Sequence, residues 1–434
     1  MKFLLISYFF PPFQDPQAIR WYYLLQVLCQ KGYLIDVLTI KNCLPDIFYY
    51  PSGLKIYRVS PGPLESLALR KKRALGVETE RDREIRYSFK FRIFKKGYEF
   101  IKNILNFFPG DYRTEWFPFA IKYIKKNLNL LEYDFVITSH EPAVDSLIGF
   151  YLKKKYKIKW IADFGDPYIT IYTPWYKKWF ENKIEEKVYN LADALIFSGN
   201  KAVEILKEKY PFLKNKKIFI LYQGYSLNSL NEKFFRYEIS DEEINKKLEL
   251  NKDFLNLFYA GTFYKEFRDP FPLFEAIKSL IKKGYKIKLY IAGRNENFLS
   301  LAKGFENFII FLGFLPHSLI LRYYNFFDLL VGITNKGNLQ IPGKFFEYLG
   351  FSKPVLCITY DKKNEVVELI EKYKRGWICL NEKQDIEKVL AEIYEVWKEK
   401  KLREVFNISP VLEFSFEYQA EKFLNFINSV LYSE

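Results

Sequence analysis

Short apolar runs alternate with helix-like patterns along this chain, and the alternation starts afresh halfway through. Residues 3–8, 34–40, 135–138, 160–163, 194–198 and 217–221 read as strands, with helices such as 18–31 and 181–191 between them. A second series follows at 255–259, 287–292, 308–312, 329–333 and 354–359. Runs of this length, buried on both faces and separated by helices, specify parallel sheets in doubly wound α/β domains. One sheet does not comfortably hold them all, so two are expected. Residues 228–253 are polar and charged and mark the boundary, with Ser240 and Glu243 spaced as a capping box for a connecting helix. The expected division is 1–228, 229–410 and a closing amphipathic helix within 411–434. With 434 residues, 49% of them apolar and 19% aromatic, the chain has ample material for two cores.

The richest chemistry lies in LQIPGKFFEYLGFSKPVLCIT, residues 339–359. Pro342 and Gly343 open a helix with Lys344 in its first turn, Glu347 follows three residues later on the same face, and Gly350 is placed to end it. A cation near free backbone N–H groups suits phosphate, and an acceptor-only carboxylate suits two sugar hydroxyls. The plainer alternative is a solvated lysine with an ordinary helical neighbour.

IPGKFFEYLGFSKPVL resembles the donor-site motif of GT-B glycosyltransferases of the family-4-like, retaining group. The resemblance implies two Rossmann-like doubly wound α/β domains facing a cleft, a nucleotide-sugar donor held by the second domain, and a glycan or lipid-linked hydroxyl acceptor on the side of the first. In the wider family a second glutamate stands eight positions before the one matching Glu347, with seven residues between them. Here that position is Leu339, beside Gln340, so no catalytic role passes to it.

Other segments carry the same resemblance. YFFPPFQDPQAIRWYYLL is similar to the family's opening loop, although Gln14, Asp15 and Gln17 replace its glycines, and close backbone approach to a ligand is less assured without them. Arg20 there either binds an acceptor anion or pairs with an acidic neighbour. SHEP places His140 and Glu141 after a strand, where the family's histidine lines the cleft near the transferred sugar; a structural histidine is the alternative. ADFGDPY, with Asp163 and Asp166, matches a family signature whose arginine is here Gly165. These aspartates serve as loop caps or acceptor contacts, or else as metal ligands. No DxD motif supports the last reading, and no metal or other cofactor is expected. Asp111 and Trp116 resemble a further element of the group, of no derivable role. In FYAGTFYKEFRDP the resemblance assigns Gly261 to a phosphate-binding turn, Thr262 to the place of a common arginine, and Arg268 to the diphosphate clamp, with Lys265 as a substitute; a solvated Arg268 is the alternative. Phe314 and Leu315 fall where the nucleotide base is held by backbone groups, unless their side chains are simply core. His317 has no motif around it.

The formal net charge of +15 admits a nucleic-acid partner, but the basic residues are interleaved with Phe, Tyr and Ile and no recognition motif accompanies them, so none is expected. An anionic membrane surface is the other partner this charge suits. Residues 92–108, with RKKR upstream, form an amphipathic pattern able to dock there or to pack on its own domain. No apolar run is long enough to span a bilayer, and the N-terminal KFLLISYFF reads as a buried strand. Four scattered cysteines without CxxC spacing fit a reduced cytoplasmic chain, at most peripheral on the membrane. The expectation is a retaining glycosyltransferase acting in surface-polysaccharide or glycolipid synthesis, in which His140, Arg268 and Lys344 serve the chemistry. A nucleotide-sugar epimerase and a non-catalytic relative are the competing readings.

Overall fold

The computed structural model describes residues 1–42, 46, 48–67, 69, 111–140, 142–167, 169, 173–227, 240–248, 250–337 and 340–432. The chain forms two compact units, Met1–Leu221 with Ala420–Glu434, and Tyr222–Gln419. The sequence placed these divisions at 228 and 410; by packing they fall at 221 and 419. The basic pattern at 92–108 and the RKKR tetrapeptide lie outside the described residues.

The first unit is a seven-stranded, wholly parallel sheet in the order β3-β2-β1-β4-β5-β6-β7. Its strands are β1 (Lys2–Ile6), β2 (Leu34–Ile40), β3 (Leu54–Val59), β4 (Phe135–Ser139), β5 (Trp160–Gly165), β6 (Ala194–Phe197) and β7 (Lys217–Ile220). The second unit holds six parallel strands in the order β10-β9-β8-β11-β12-β13. These are β8 (Leu255–Ala260), β9 (Ile287–Ala292), β10 (Ile309–Gly313), β11 (Leu329–Ile333), β12 (Val355–Thr359) and β13 (Gly376–Leu380). The two-sheet α/β architecture expected from the alternation is therefore present. Strands such as β4, β5, β8 and β11 are buried along their whole length, which is why they read as unbroken apolar runs.

β3 and β13 escaped the sequence reading. Both are edge strands, and in β3 Lys55 and Arg58 interrupt a half-exposed LKIYRV while β13 opens on Gly376. An edge strand needs less apolar surface and so leaves a weaker pattern.

Each sheet reverses its strand order beside its first strand, between β1 and β4 and between β8 and β11. In open parallel sheets such a switch point leaves a crevice at the carboxyl ends of the strands. His140 follows β4 and Gly261 follows β8, which puts the histidine motif and the glycine turn each beside the switch point of its own sheet.

Local signals set the helices. Asp15 caps Pro16–Gln30 by accepting from Gln17 N at 3.2 Å, with Pro16 in the first turn where its missing N–H costs nothing. Ser240 and Glu243 form the expected capping box: Glu243 N donates to Ser240 Oγ at 3.1 Å and Ser240 N to Glu243 Oε2 at 2.9 Å. The last helix, Phe416–Leu431, brings Phe423 onto Trp21 and Phe219 of the first unit.

Arg20 joins the helix Pro16–Gln30 to the sheet. Its guanidinium is wholly buried and donates to both Asp163 oxygens, at 2.7 and 2.5 Å, and to Leu221 O at 2.8 Å. Asp163 also accepts from Trp21 Nε1 at 2.7 Å and from Gly165 N at 3.1 Å. The arginine pairs with an acidic neighbour, and neither charge faces solvent. Removing one partner of such a pair strands the other charge in the core. Arg20→Met is expected to lower unfolding free energy by about 3–5 kcal/mol in urea titrations, and Arg20→Met/Asp163→Leu to restore most of it. Equal losses in the single and double variants would contradict this account.

Candidate functional site

The site is built from three chain segments of the second unit that meet at the switch point. The first is the turn after β8. Gly261 holds φ +139°, a conformation that side-chain-bearing residues avoid, and its N donates to Ala292 O at 2.7 Å. A Cβ there would sit 3.0 Å from Lys344 Nζ, so the glycine gives the lysine its space. Asn295 ties this turn down, donating to Gly261 O at 2.9 Å while its Oδ1 accepts from Phe263 N at 2.8 Å.

Beyond the turn, Tyr264 and Arg268 close a tight loop through paired backbone hydrogen bonds of 3.2 and 2.7 Å. The Arg268 guanidinium is half-buried and fixed, donating from Nε and Nη2 to Asn335 Oδ1 at 3.1 and 2.6 Å and from Nη1 to Thr262 O at 3.2 Å. It is not a freely solvated loop arginine. Thr262 contributes its carbonyl, whereas Lys265 is exposed.

The third segment is the helix Lys344–Gly350, which begins after Pro342 and Gly343 as the sequence implied. It is seven residues long, so the site's positive character rests on side chains more than on its dipole. Lys344 Nζ lies 3.6 Å from the Tyr259 ring centroid. The nitrogen is shielded from solvent and has no hydrogen-bond acceptor among the described residues. Burial, and then the Arg268 cation, push the ammonium well below the ordinary lysine range, with Glu347 opposing. Burial likewise lifts the Tyr259 phenol to about 12. A buried cation over an aromatic face gains only part of what an anion would supply.

Glu347 is half-buried one turn along. Its Oε1 accepts from His317 Nε2 at 2.8 Å and its Oε2 from the Tyr324 hydroxyl at 2.7 Å. The carboxylate is thus aimed before any ligand arrives, and each oxygen retains a further lone pair for a hydroxyl. His317 and Tyr324 have no sequence signal of their own, because their function is to hold a residue 23 to 30 positions away. Arg375 is equally unforeseen. Fully buried, it donates to the carbonyls of Tyr348, Leu349 and Phe351 at the end of the Lys344–Gly350 helix, and to those of Asn407 and Ser409.

Phe314 and Leu315 divide their roles. Leu315 is buried in the core, while Phe314 is 54% exposed with the Arg294 guanidinium 5.0 Å from its ring.

In the first unit His140 is buried, its Nδ1 3.0 Å from Ser146 Oγ and its ring against Phe164. Burial drives its pKa down to about 3, so the imidazole is neutral. Asp166 is half-buried and accepts from Ser198 Oγ at 3.4 Å. Glu141 lies outside the described residues. Gly165, where the resembling family carries arginine, has φ +62°, and a Cβ there would fall 1.5 Å from Gln17 Nε2. The departures at Gly165 and Gln17 are two sides of one packing exchange. Among the described residues, no group of three or more His, Cys, Asp or Glu side chains is disposed to hold a metal ion.

Residues 240–408, which contain Gly261, Arg268, Lys344 and Glu347, match the family model of glycosyl transferases group 1. No curated protein sequence matches the chain. Among solved structures, sucrose-phosphate synthase from Thermosynechococcus elongatus shares 14% identity at a TM-score of 0.67, over 99% of this chain and 98% of that one. HepE of Anabaena, solved in complex with UDP and glucose, shares 12% identity at a TM-score of 0.62, over 99% and 100%. A putative UDP-N-acetylglucosamine 2-epimerase from Listeria monocytogenes shares 14% identity at a TM-score of 0.56, over 99% and 96%. At these identities the likeness is one of fold, and the fold is the double Rossmann-like GT-B architecture.

The depressed Lys344 has a measurable sign. Its cost to the folded state is fully present below the lowered value and is relieved as pH rises toward the unfolded value of about 10.4. In urea titrations Lys344→Met should therefore exceed the wild type in stability most at low pH, with the gap closing as pH rises toward that upper limit. Parallel pH profiles would show that the lysine carries no such cost.

Proposed function

We propose that this chain transfers a sugar from a nucleotide-sugar donor to a hydroxyl acceptor, with retention of configuration, the acceptor being a lipid-linked or growing surface-glycan intermediate. The observation that carries the reading is the shielded Lys344 ammonium, unpartnered over Tyr259 and coupled to Arg268. Two cations fixed around a glycine turn match the oxygens of a diphosphate. In sugar transfer that diphosphate leaves bearing negative charge, so the same pair stabilises the transition state more than the donor. Glu347, aimed by His317 and Tyr324, accepts the ribose hydroxyls. The complex of HepE with UDP and glucose supports a donor of that class.

Retention needs no side-chain base, because the departing phosphate oxygen can take the acceptor proton and catalysis then rests on positioning. In the first unit, neutral His140 offers a hydrogen bond to a sugar or acceptor hydroxyl, and Asp166 is the acceptor-side carboxylate. Arg20 and Asp163, sealed in their ion pair, act by holding the strand that leads into Asp166. The second reading is epimerisation of a nucleotide sugar, favoured by the fold shared with the Listeria protein.

A thermal-shift screen of nucleoside diphosphates should raise the melting temperature with one base preferred, and the shift should vanish in Lys344→Ala. With the matching nucleotide sugar and an acceptor, wild-type protein should form a glycoside and release the diphosphate. Lys344→Ala should reduce turnover about 10²–10³-fold, while Glu347→Gln acts chiefly on KM. A rearranged nucleotide sugar without acceptor consumption would establish the epimerase reading, and absence of diphosphate binding would sink both.

A further inference from the structure

The helix Trp175–Leu191 of the first unit opens with WYKKWF, and its first turns sort their side chains unusually. Trp175 is 83% exposed, Trp179 67%, Tyr176 47% and Phe180 46%. Four large aromatic side chains within six positions thus stand in solvent. The charges are sorted as well. Glu181 and Glu185 are buried, the latter holding Tyr189, Tyr210 and Lys209, whereas Lys178 and Lys183 are exposed. Lys183 Nζ lies 3.8 Å from the Trp179 ring centroid. From Trp175 to Lys183 the outward surface is therefore aromatic and cationic, with Glu181 turned inward; the first exposed carboxylate, Glu186, lies beyond it beside the exposed Lys187.

We infer that this surface, Trp175 to Lys183, docks the protein on an anionic lipid bilayer. Indole and phenol rings have an apolar body and a polar edge, and their free energy is lowest at the boundary between headgroups and acyl chains. Lysines snorkel from that depth, leaving the ammonium among lipid phosphates. Phosphate charge is what an acid-free face with outward lysines complements, and each such lysine adds to the attraction. A second copy of this chain is a poor occupant, since both copies would bring the same positive face and the same net charge of +15. The neighbouring layer repeats the chemistry: the helix packs on Val144–Tyr156, which packs on Trp116–Asn127, and these two line a groove with Phe117, Ile121, Tyr151, Lys122, Lys125 and Lys126. The inference stands apart from sugar transfer.

Full-length protein is sedimented with vesicles of phosphatidylcholine alone and of two parts phosphatidylcholine to one part phosphatidylglycerol. Binding is expected to the anionic vesicles only, and Trp175→Ser/Trp179→Ser should weaken it at least about fivefold. Brominated acyl chains should quench tryptophan emission of the wild type more than of the double variant. Both substitutions fall on exposed side chains, so thermal unfolding should be unchanged; Lys178→Glu/Lys183→Glu, on the same face, tests the charge independently and should also weaken binding. No binding to either vesicle, or equal binding by the wild type and both variants, would overturn the proposal. So would aromatic-dependent retention by soluble polyglutamate without vesicle binding, which would indicate an acidic protein instead.

Discussion

The second unit is organised around an ammonium group that has been taken out of water and given no counter-ion. Lys344 faces the ring of Tyr259, with Arg268 raising the local positive potential and Glu347 only partly offsetting it. Everything near it maintains that imbalance. Gly261 withholds the Cβ that would crowd the nitrogen, Asn295 fixes the turn that contains Gly261, and Asn335 keeps Arg268 from swinging to solvent. Such an arrangement lowers stability in the ligand-free protein and is worth retaining when an anion restores what the lysine lacks.

The sheets show why some of this could be read from sequence. Interior parallel strands are buried on both faces, and their apolar runs announced nearly all of β1, β2, β4 to β6, β8, β9, β11 and β12; the edge strands β7 and β10 kept enough apolar residues to be read as well. β3 and β13 lie at sheet edges, where one side needs no neighbour, and Lys55, Arg58 and Gly376 dissolve the pattern. The capping box at Ser240 and Glu243 was legible because both partners lie within one turn. The partners of Glu347 were not, since neither His317 nor Tyr324 stands in a motif and only the packing of two helices brings them to the carboxylate. Sequence named the residues at the centre of the candidate site and missed those that aim them.

Arg20 and Asp163 illustrate the opposite error. Each stands in a segment resembling a ligand-facing motif, and each spends its charge on the other inside the sheet. A motif next to a strand end contains residues that hold the loop as well as residues that use it. Exposure separates them: Asp166, three positions after Asp163, remains half-buried at the surface. The exchange at Gly165 and Gln17 carries the same lesson, because two departures that look independent along the chain fill a single volume.

Arg375 leaves a different kind of trace. Its guanidinium gathers oxygens from main-chain amides alone, drawn from the end of the lysine-bearing helix and from the stretch near Ser409. Every residue type supplies such an oxygen, so the amino acids at those positions are free to drift while the course of the backbone past the arginine is not. Relatives that share this brace would preserve a shape with little spelling in common.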